Sequence, residues 1–469
     1  MTMWFPDPEK LKRPVYKTLQ SLIINAIDAG DLRPGDRMPT HRDFAFKMNI
    51  SVQTVSRTYD ALCKLGYLVG EVGRGTFVRI RDASPEAAMP FLPTRQEELI
   101  DLSMLKPVTD SLHYEVMQQG LMELSKDLTR DLVKAFRPEE AFRDHAHVAA
   151  KWLNSHRMDA DWQNVIFTNG AVPGLLSAVM STAPAGSAIC VEEVSFHILR
   201  PLCDYLGVRM HAAKMDEFGL LPEAFEELCS HQPIRALVIS PTVCNPRAHV
   251  MPLERRQDLL DIARRYQVHI IENDVLGTLI KGAPPTLWQL DPERVFYITS
   301  FSKTIMPGLR AGLLIVPPEM SVIAKNRHLV TNWMANPLAV DLLTHWMEDG
   351  TVDRLISWQS NALQKRQKLA EKLFPGINYY SHKYAPHIWL PLPSTWQEGD
   401  FVAQARRHQV AIAGSLPFMM VDQSNEGDAI RLNAVRIALG PCSEERLTTA
   451  LRVIASLLQA GAETPLPMF

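Results

Sequence analysis

Seven short apolar runs between residues 164 and 316 constrain this 469-residue chain more than any other feature. They are NVIFTNG (164–170), AICVEE (188–193), VRMHAA (208–213), ALVIS (236–240), VHIIEN (268–273), VFYITS (295–300) and GLLIV (312–316). Each is strand-sized, continuous rather than alternating, and separated from the next by a helical stretch. Continuous apolar strands belong in a sheet covered on both faces, so the spacing predicts an α/β domain with a mostly parallel sheet. Beyond about residue 320 long helical patterns dominate, as in 353–373. Strand-like HIWLPL (387–392) and AIRLNA (429–434) then return and predict a second, smaller α/β subdomain.

The first eighty residues read differently. Val15, Leu19, Leu22, Ile23, Ala26 and Ile27 recur at helical spacing, and RPGDRMP (33–39) makes a turn. A short helix is expected around 41–48, then a longer one capped by Ser51. Val52, Val55, Tyr59, Leu62 and Leu65 form its inward stripe, and Gln53, Thr54, Arg57 and Thr58 its outer face. YLVGEVGRGTFVRI (67–80) alternates around glycines like a β-hairpin. Helix, helix, capped helix and hairpin is the order of a winged helix-turn-helix, whose third helix enters the DNA major groove. Arg42, Ser51, Gln53, Thr54, Arg57 and, on the wing, Arg74 are the candidate DNA contacts. Residues 1–81 carry 13 Lys/Arg against 8 Asp/Glu while the whole chain is at −3, so the anionic partner is expected for this part alone. The expected boundaries are 1–81 for the DNA reader, 82–115 for a Pro-, Ala- and Glu-rich linker, and 116–469 for the α/β region. The last divides into a large part (about 116–320) and a small part (about 321–469).

Other classes are set aside. No apolar run approaches a membrane span, and MTMWFPDPEK lacks the pattern of a secretory signal, so a cytoplasmic protein is expected. The 6 cysteines form no C-x-x-C pair and the 15 histidines no paired-ligand spacing, so neither a zinc site nor a disulfide framework is expected and no metal is assigned.

In open α/β sheets ligands bind at the carboxyl ends of the strands. The first run ends in Gly170 and Ala171, opening a helix whose free amides suit a phosphate. Phe196 follows the second, Asn245 the fourth and Asn273 the fifth. The sixth ends in SFSKTIMPGLR, with Ser300, Lys303 and Arg310. A phosphate cup, an aromatic platform, an amide for a ring hydroxyl and a lysine amine for an aldehyde together match the needs of pyridoxal 5′-phosphate (PLP).

On these residues, 116–469 resembles a fold-type I PLP enzyme of the aminotransferase family. LRPGDRMPTHRDFAFKMNISVQTVSRTYDALCKLGYLV…GRGTFV resembles a GntR-type winged helix. The two in this order resemble the MocR group of bacterial transcription regulators. The resemblance implies that Lys303 is the Schiff-base lysine and that Ser300, Arg310 and the Gly170–Ala171 amides hold the phosphate. It further implies that Asn245 meets the ring oxygen, that Arg431 in AIRLNA binds an effector's α-carboxylate, and that two subunits complete the sites. A homodimer with two readers implies repeated or inverted DNA half-sites.

The departures from the family pattern are selective. Asn273 stands where an acid normally pairs with the pyridine nitrogen, and Leu276 where a tyrosine is usual. NPRA (245–248) replaces N-P-T-G, and FRPEEAFRD (136–144) lacks a usual glycine. Asp274 is adjacent to Asn273, yet neighbouring strand residues face opposite ways. Amine exchange at Lys303 needs no carbanion, whereas transamination needs the electron sink that a protonated ring supplies. The expectation is therefore a PLP-dependent regulator that senses an amine or amino acid. An active aminotransferase that also binds DNA, and a regulator that has lost PLP, are the competing readings.

Overall fold

The computed structural model describes residues 4–7, 15–28, 32, 36–64, 67–71, 75–78, 99–126, 138–420 and 432–460. It comprises two compact units, Met1–Pro90 and Phe91–Phe469.

The first unit runs α1 (Val15–Asp28), α2 (His41–Met48), α3 (Val52–Lys64), β1 (Leu68–Glu71) and β2 (Gly75–Val78). Thr40 caps α2 by accepting from the Asp43 amide at 3.2 Å, and Asn49 ends it in the left-handed region at φ 52°. β1 and β2 pair antiparallel, Leu68 opposite Val78. Leu19, Ile23, Phe44, Val55, Tyr59, Leu62 and Val78 fill the core. The expected register of α3 needs two corrections. Val52 lies in the first helical turn and is 47% exposed instead of inward. Thr58 is buried beside Tyr59 rather than outward, and its hydroxyl donates to Thr54 O at 2.9 Å. Buried Val55, Thr58, Tyr59 and Leu62 follow the helical period more closely than the stripe read from apolar residues alone.

The second unit starts with β3 (Ile100–Asp101), α4 (Ser111–Lys126) and α5 (Pro138–Ser155). Part of the stretch read as linker thus carries structure. Ile100 and Leu102 donate to Gln409 O and Ala411 O, and Ala438 donates back to Leu102 O, each at 2.8–2.9 Å. There follow β4 (Val165–Thr168), α6 (Ala171–Thr182), β5 (Ala188–Glu192), α7 (Leu199–Leu206), β6 (Arg209–Ala213), α8 (Pro222–His231), β7 (Ile234–Ile239), α9 (Leu253–Arg265), β8 (His269–Asn273), β9 (Val295–Ser300) and β10 (Gly312–Ile315). All seven predicted strands form one sheet of order β4-β10-β9-β8-β7-β5-β6. β10 is antiparallel to both its neighbours, and the other pairings are parallel. Both faces are covered, as continuous apolar runs require. Along β9, Val295 and Tyr297 enter one hydrophobic cluster, and Phe296 and Ile298 enter the other with Leu175 and Ala178 of α6.

The C-terminal part holds α10 (Ser321–Asn332), α11 (Pro337–Glu348), α12 (Thr351–Leu373), β11 (His387–Pro391), α13 (Glu398–Arg407), β12 (Val410–Ala411), β13 (Ala413–Gly414), β14 (Ala434–Ala438) and α14 (Glu444–Ala460). β11, β14 and β13 form an antiparallel sheet, and β12 pairs with β3. The second strand of this subdomain is therefore Ala434–Ala438; positions 429–431 of the expected run lie outside the described residues.

Candidate functional site

In the first unit α3 offers its N-terminal end. Ser51, Gln53 and Arg57 are exposed, as is Arg42 on α2, while Thr54 is half-buried. Ser51 Oγ accepts from the Thr54 amide at 3.1 Å and lies 2.8 Å from Thr54 Oγ1, so these two hydroxyls hold the helix start. Gln53, Arg57 and Arg42 are then the exposed polar side chains of this end. The Arg57 guanidinium lies over the Tyr16 ring at 4.1 Å, which fixes its direction. Arg74 lies outside the described residues.

In the second unit Gly170, Ser300, Lys303, Arg310 and Asn245 are linked by contacts at the carboxyl end of the sheet. Gly170 precedes α6 at φ 92°, a backbone conformation that suits glycine, and a Cβ there would stand 2.8 Å from Arg310 Nη2. Arg310 donates to Asn169 O at 3.0 Å and to Ser302 Oγ at 3.3 Å. Ser300 Oγ accepts from the Ser302 amide at 3.3 Å. Glycine, two serines, one guanidinium and the amide end of a twelve-residue helix form a cup for a doubly charged oxyanion. Ser302 is a member that the sequence reading missed.

Lys303 stands beside this cup. Its amine donates to Leu105 O at 2.5 Å. Burial, then Arg436, Arg310 and Lys106, push its pKa down to about 8. An amine held there is far more often neutral, and so nucleophilic, than a surface lysine. Asn245 Oδ1 accepts from Arg436 Nη1 at 2.8 Å. Phe196 and Ala171 pack against the cluster on the α6 face. The next residue, His197, is kept neutral, at about 4, by burial and then by Arg436 and Lys303.

Asn273 and Asp274 separate as strand alternation requires. Ile271 lies in the α6-side cluster and Ile270 in the opposite one, so Asn273 shares the face of the cup. Asp274 belongs to the other face. Its Oδ2 accepts from the Tyr297 hydroxyl at 2.9 Å, and Arg256 lies beneath, 3.7 Å from Glu272. Burial raises both the Glu272 and Asp274 carboxyls. Asp274 thus has one oxygen engaged on the face opposite the cup.

Arg431 lies outside the described residues. Arg436, five positions later, is the arginine brought to Lys303 and Asn245. It is 1% exposed, sits under the Phe418 ring at 4.8 Å, and also donates to Ser103 O. A signal was present: in NAVRIALG this cation stands alone between Val435 and Ile437, both buried in the subdomain core. A buried guanidinium with one edge on Asn245 is suited to a carboxylate.

Comparison with known proteins accounts for this geometry. Residues 50–453 match the model of the family described as aminotransferase class I and II. The chain belongs to that family. Residues 15–78 match the bacterial regulatory proteins of the gntR family. An uncharacterized HTH-type transcriptional regulator of Bacillus subtilis (strain 168), YdeF, is 26% identical over 97% of this chain and 96% of its own. The HTH-type pyridoxine biosynthesis transcriptional regulator PdxR of Corynebacterium glutamicum is 27% identical over 69% of this chain and 70% of its own. Among solved structures, the kynurenine aminotransferase of Pyrococcus horikoshii superposes with a TM-score of 0.69 at 18% identity, over 78% of this chain and 92% of that one. The multiple substrate aminotransferase of Thermococcus profundus gives 0.70 at 16%, over 81% and 96%. A GntR reader followed by an aminotransferase-fold domain is the MocR-type arrangement.

The family cofactor is PLP, and the residues fit it. A side chain at Gly170 would fill the cup, and Lys303 is desolvated next to it. The cup would hold the phosphate, Asn245 the ring oxygen, and Lys303 the aldehyde carbon. No helix among the described residues is long and apolar enough to cross a membrane.

Proposed function

We propose that this chain is a DNA-binding transcription regulator that holds PLP at Lys303 and senses an amine or amino acid by exchange at that lysine. The observation that carries the reading is the division of labour at the end of β8. The neutral Asn273 shares the face of the cup, while the acids on either side of it turn to the far face, Glu272 accepting from the Leu287 and Trp288 amides and Asp274 from Tyr297.

When bound, the cofactor supplies an aldehyde carbon open to attack by a primary amine. Arg436 takes the effector's carboxylate, and Asn245 holds that guanidinium in place. Lys303, whose free amine burial lowers to about 8, would be the group that the incoming amine displaces. Asn273 cannot keep a ring nitrogen protonated as a carboxylate does, so carbanion chemistry is poorly supported and binding is favoured over turnover. The ligand shifts the protein between states only through unequal affinity for them. The working unit is a homodimer whose two readers, through Gln53, Arg57 and Arg42, bind repeated or inverted half-sites.

The test is an absorption titration of the purified protein with a panel of amino acids and amines, run beside Lys303→Ala. An aldehyde-derived band that shifts with one class of amine and is lost in Lys303→Ala is expected. Absence of the band, its persistence in Lys303→Ala, or multiple-turnover conversion of an amino donor and a keto acid would overturn the reading.

A further inference from the structure

Away from the cup, on the other face of the sheet, three side chains from two distant segments of the chain meet in the interior. Glu192 ends β5, and Cys244 and His249 lie on the loop after β7. Cys244 Sγ is 4.0 Å from Glu192 Oε2, and His249 Nε2 is 3.7 Å from Glu192 Oε1. All three donor atoms lie within 4.8 Å of one another. The Glu192 and Cys244 side chains are fully buried and that of His249 is 5% exposed.

Such groups in an interior normally satisfy one another, yet here they do not. Among the described residues, Glu192 Oε1 and both ring nitrogens of His249 find no hydrogen-bond partner. The one firm bond is from the Ser240 amide to Glu192 Oε2 at 3.0 Å, which orients the carboxylate with Oε1 towards the histidine. Left to themselves the groups are forced out of their charged forms. Burial raises the Glu192 carboxyl to about 8 and lowers the His249 imidazole to about 3.

We propose that Glu192, Cys244 and His249 form a buried binding site for a divalent transition-metal ion of zinc type. Thiolate, imidazole and carboxylate are the donor set of borderline-soft metals, not of magnesium or calcium. Glu192, Cys244 and His249 supply one oxygen, one sulfur and one nitrogen, three protein donors of a four-coordinate shell. Tetrahedral donors at zinc distances stand about 3.5 Å apart, so contraction by roughly an ångström brings these three into range. A divalent ion with one thiolate and one carboxylate is neutral overall, which answers the objection to burying charge. The ion would link Cys244 to His249 across Asn245 and so brace the loop that presents Asn245 to Arg436. This inference does not depend on the cofactor reading.

The test uses the full chain expressed in cobalt-supplemented medium, with metal content and absorption measured after purification. One equivalent of metal per chain is expected, with a thiolate-to-cobalt charge-transfer band in the near ultraviolet and tetrahedral bands in the visible. Cys244→Ser should abolish the first and His249→Gln should alter the second, with circular dichroism recording that each variant is folded. Substoichiometric metal with no such band in the unaltered protein, or a charge-transfer band that survives Cys244→Ser, overturns the proposal.

Discussion

Arg436→Lys separates carboxylate recognition from amine recognition. The guanidinium is 1% exposed, with Nη1 on Asn245 Oδ1 at 2.8 Å and Nη2 on Ser103 O. Lysine keeps the charge but not the planar fork, and one ammonium cannot serve Asn245 and both oxygens of a carboxylate. A hydrogen bond to a charged group is worth about 1.5–3 kcal/mol. At about 1.4 kcal/mol per factor of ten, losing one such bond weakens an amino acid by roughly 10- to 150-fold. The corresponding decarboxylated amine makes no such bond and should keep its affinity. The assay is the spectral titration of both variants with the amino acid that gives the largest shift and with its decarboxylated amine. Equal losses for the two ligands would mean that Arg436 is merely structural. An unchanged amino-acid affinity would remove it from the site altogether.

Asn273→Asp puts a carboxylate on the face of the cup and should raise single-turnover conversion of an amino acid by roughly tenfold or more, or about 1.4 kcal/mol, in stopped-flow absorption; no gain would detach this position from the ring. Gln53→Ala should flatten discrimination at one base pair by about 1–3 kcal/mol in a binding-site library, while Arg57→Ala lowers affinity for all sequences and reduces the salt slope by about one. Arg256→Leu strands Glu272 and the carbonyls of Met251, Pro241 and Pro285, and should cost about 3–5 kcal/mol, read as a lowered denaturant midpoint. In the cofactor-free protein Lys303 is depressed to about 8 from a free-chain value of 10.5. Between those values the unfolded chain binds more protons, so stability should rise with pH across that window, and the burden is full below it. Lys303→Met should lack this rise when midpoints are compared at the two ends.

The strands and the position of Lys303 were legible because each left a local trace, a continuous apolar run or a cation at its end. The arginine beside Lys303 was not. AIRLNA reads as a strand by composition, yet the strand begins at Ala434, where Val435 and Ile437 fill the subdomain core. β3 escaped notice because two residues held by backbone bonds to Gln409 and Ala411 leave no side-chain periodicity. Thr58 was misplaced because a hydroxyl that donates to its own helix can be buried at little cost, so polarity was a poor guide to its face. Cys244 and His249 stand five residues apart on one loop, but Glu192 is far from them in sequence, and the β5–β7 pairing brings the two segments together.

The single reversed strand of the large sheet has a consequence for how the chain comes off the ribosome. β4 can pair only with β10, so Thr168 has no neighbour until Gly312 has been made. Closure of that edge is a long-range event, and such pairings are slow because the intervening loop must be ordered first. The winged unit has the opposite character: its hairpin joins Leu68 to Val78, and its three helices are consecutive. Synthesis therefore delivers a folded DNA reader while the phosphate cup is still in pieces, since Gly170 and Arg310 meet only when that last edge closes.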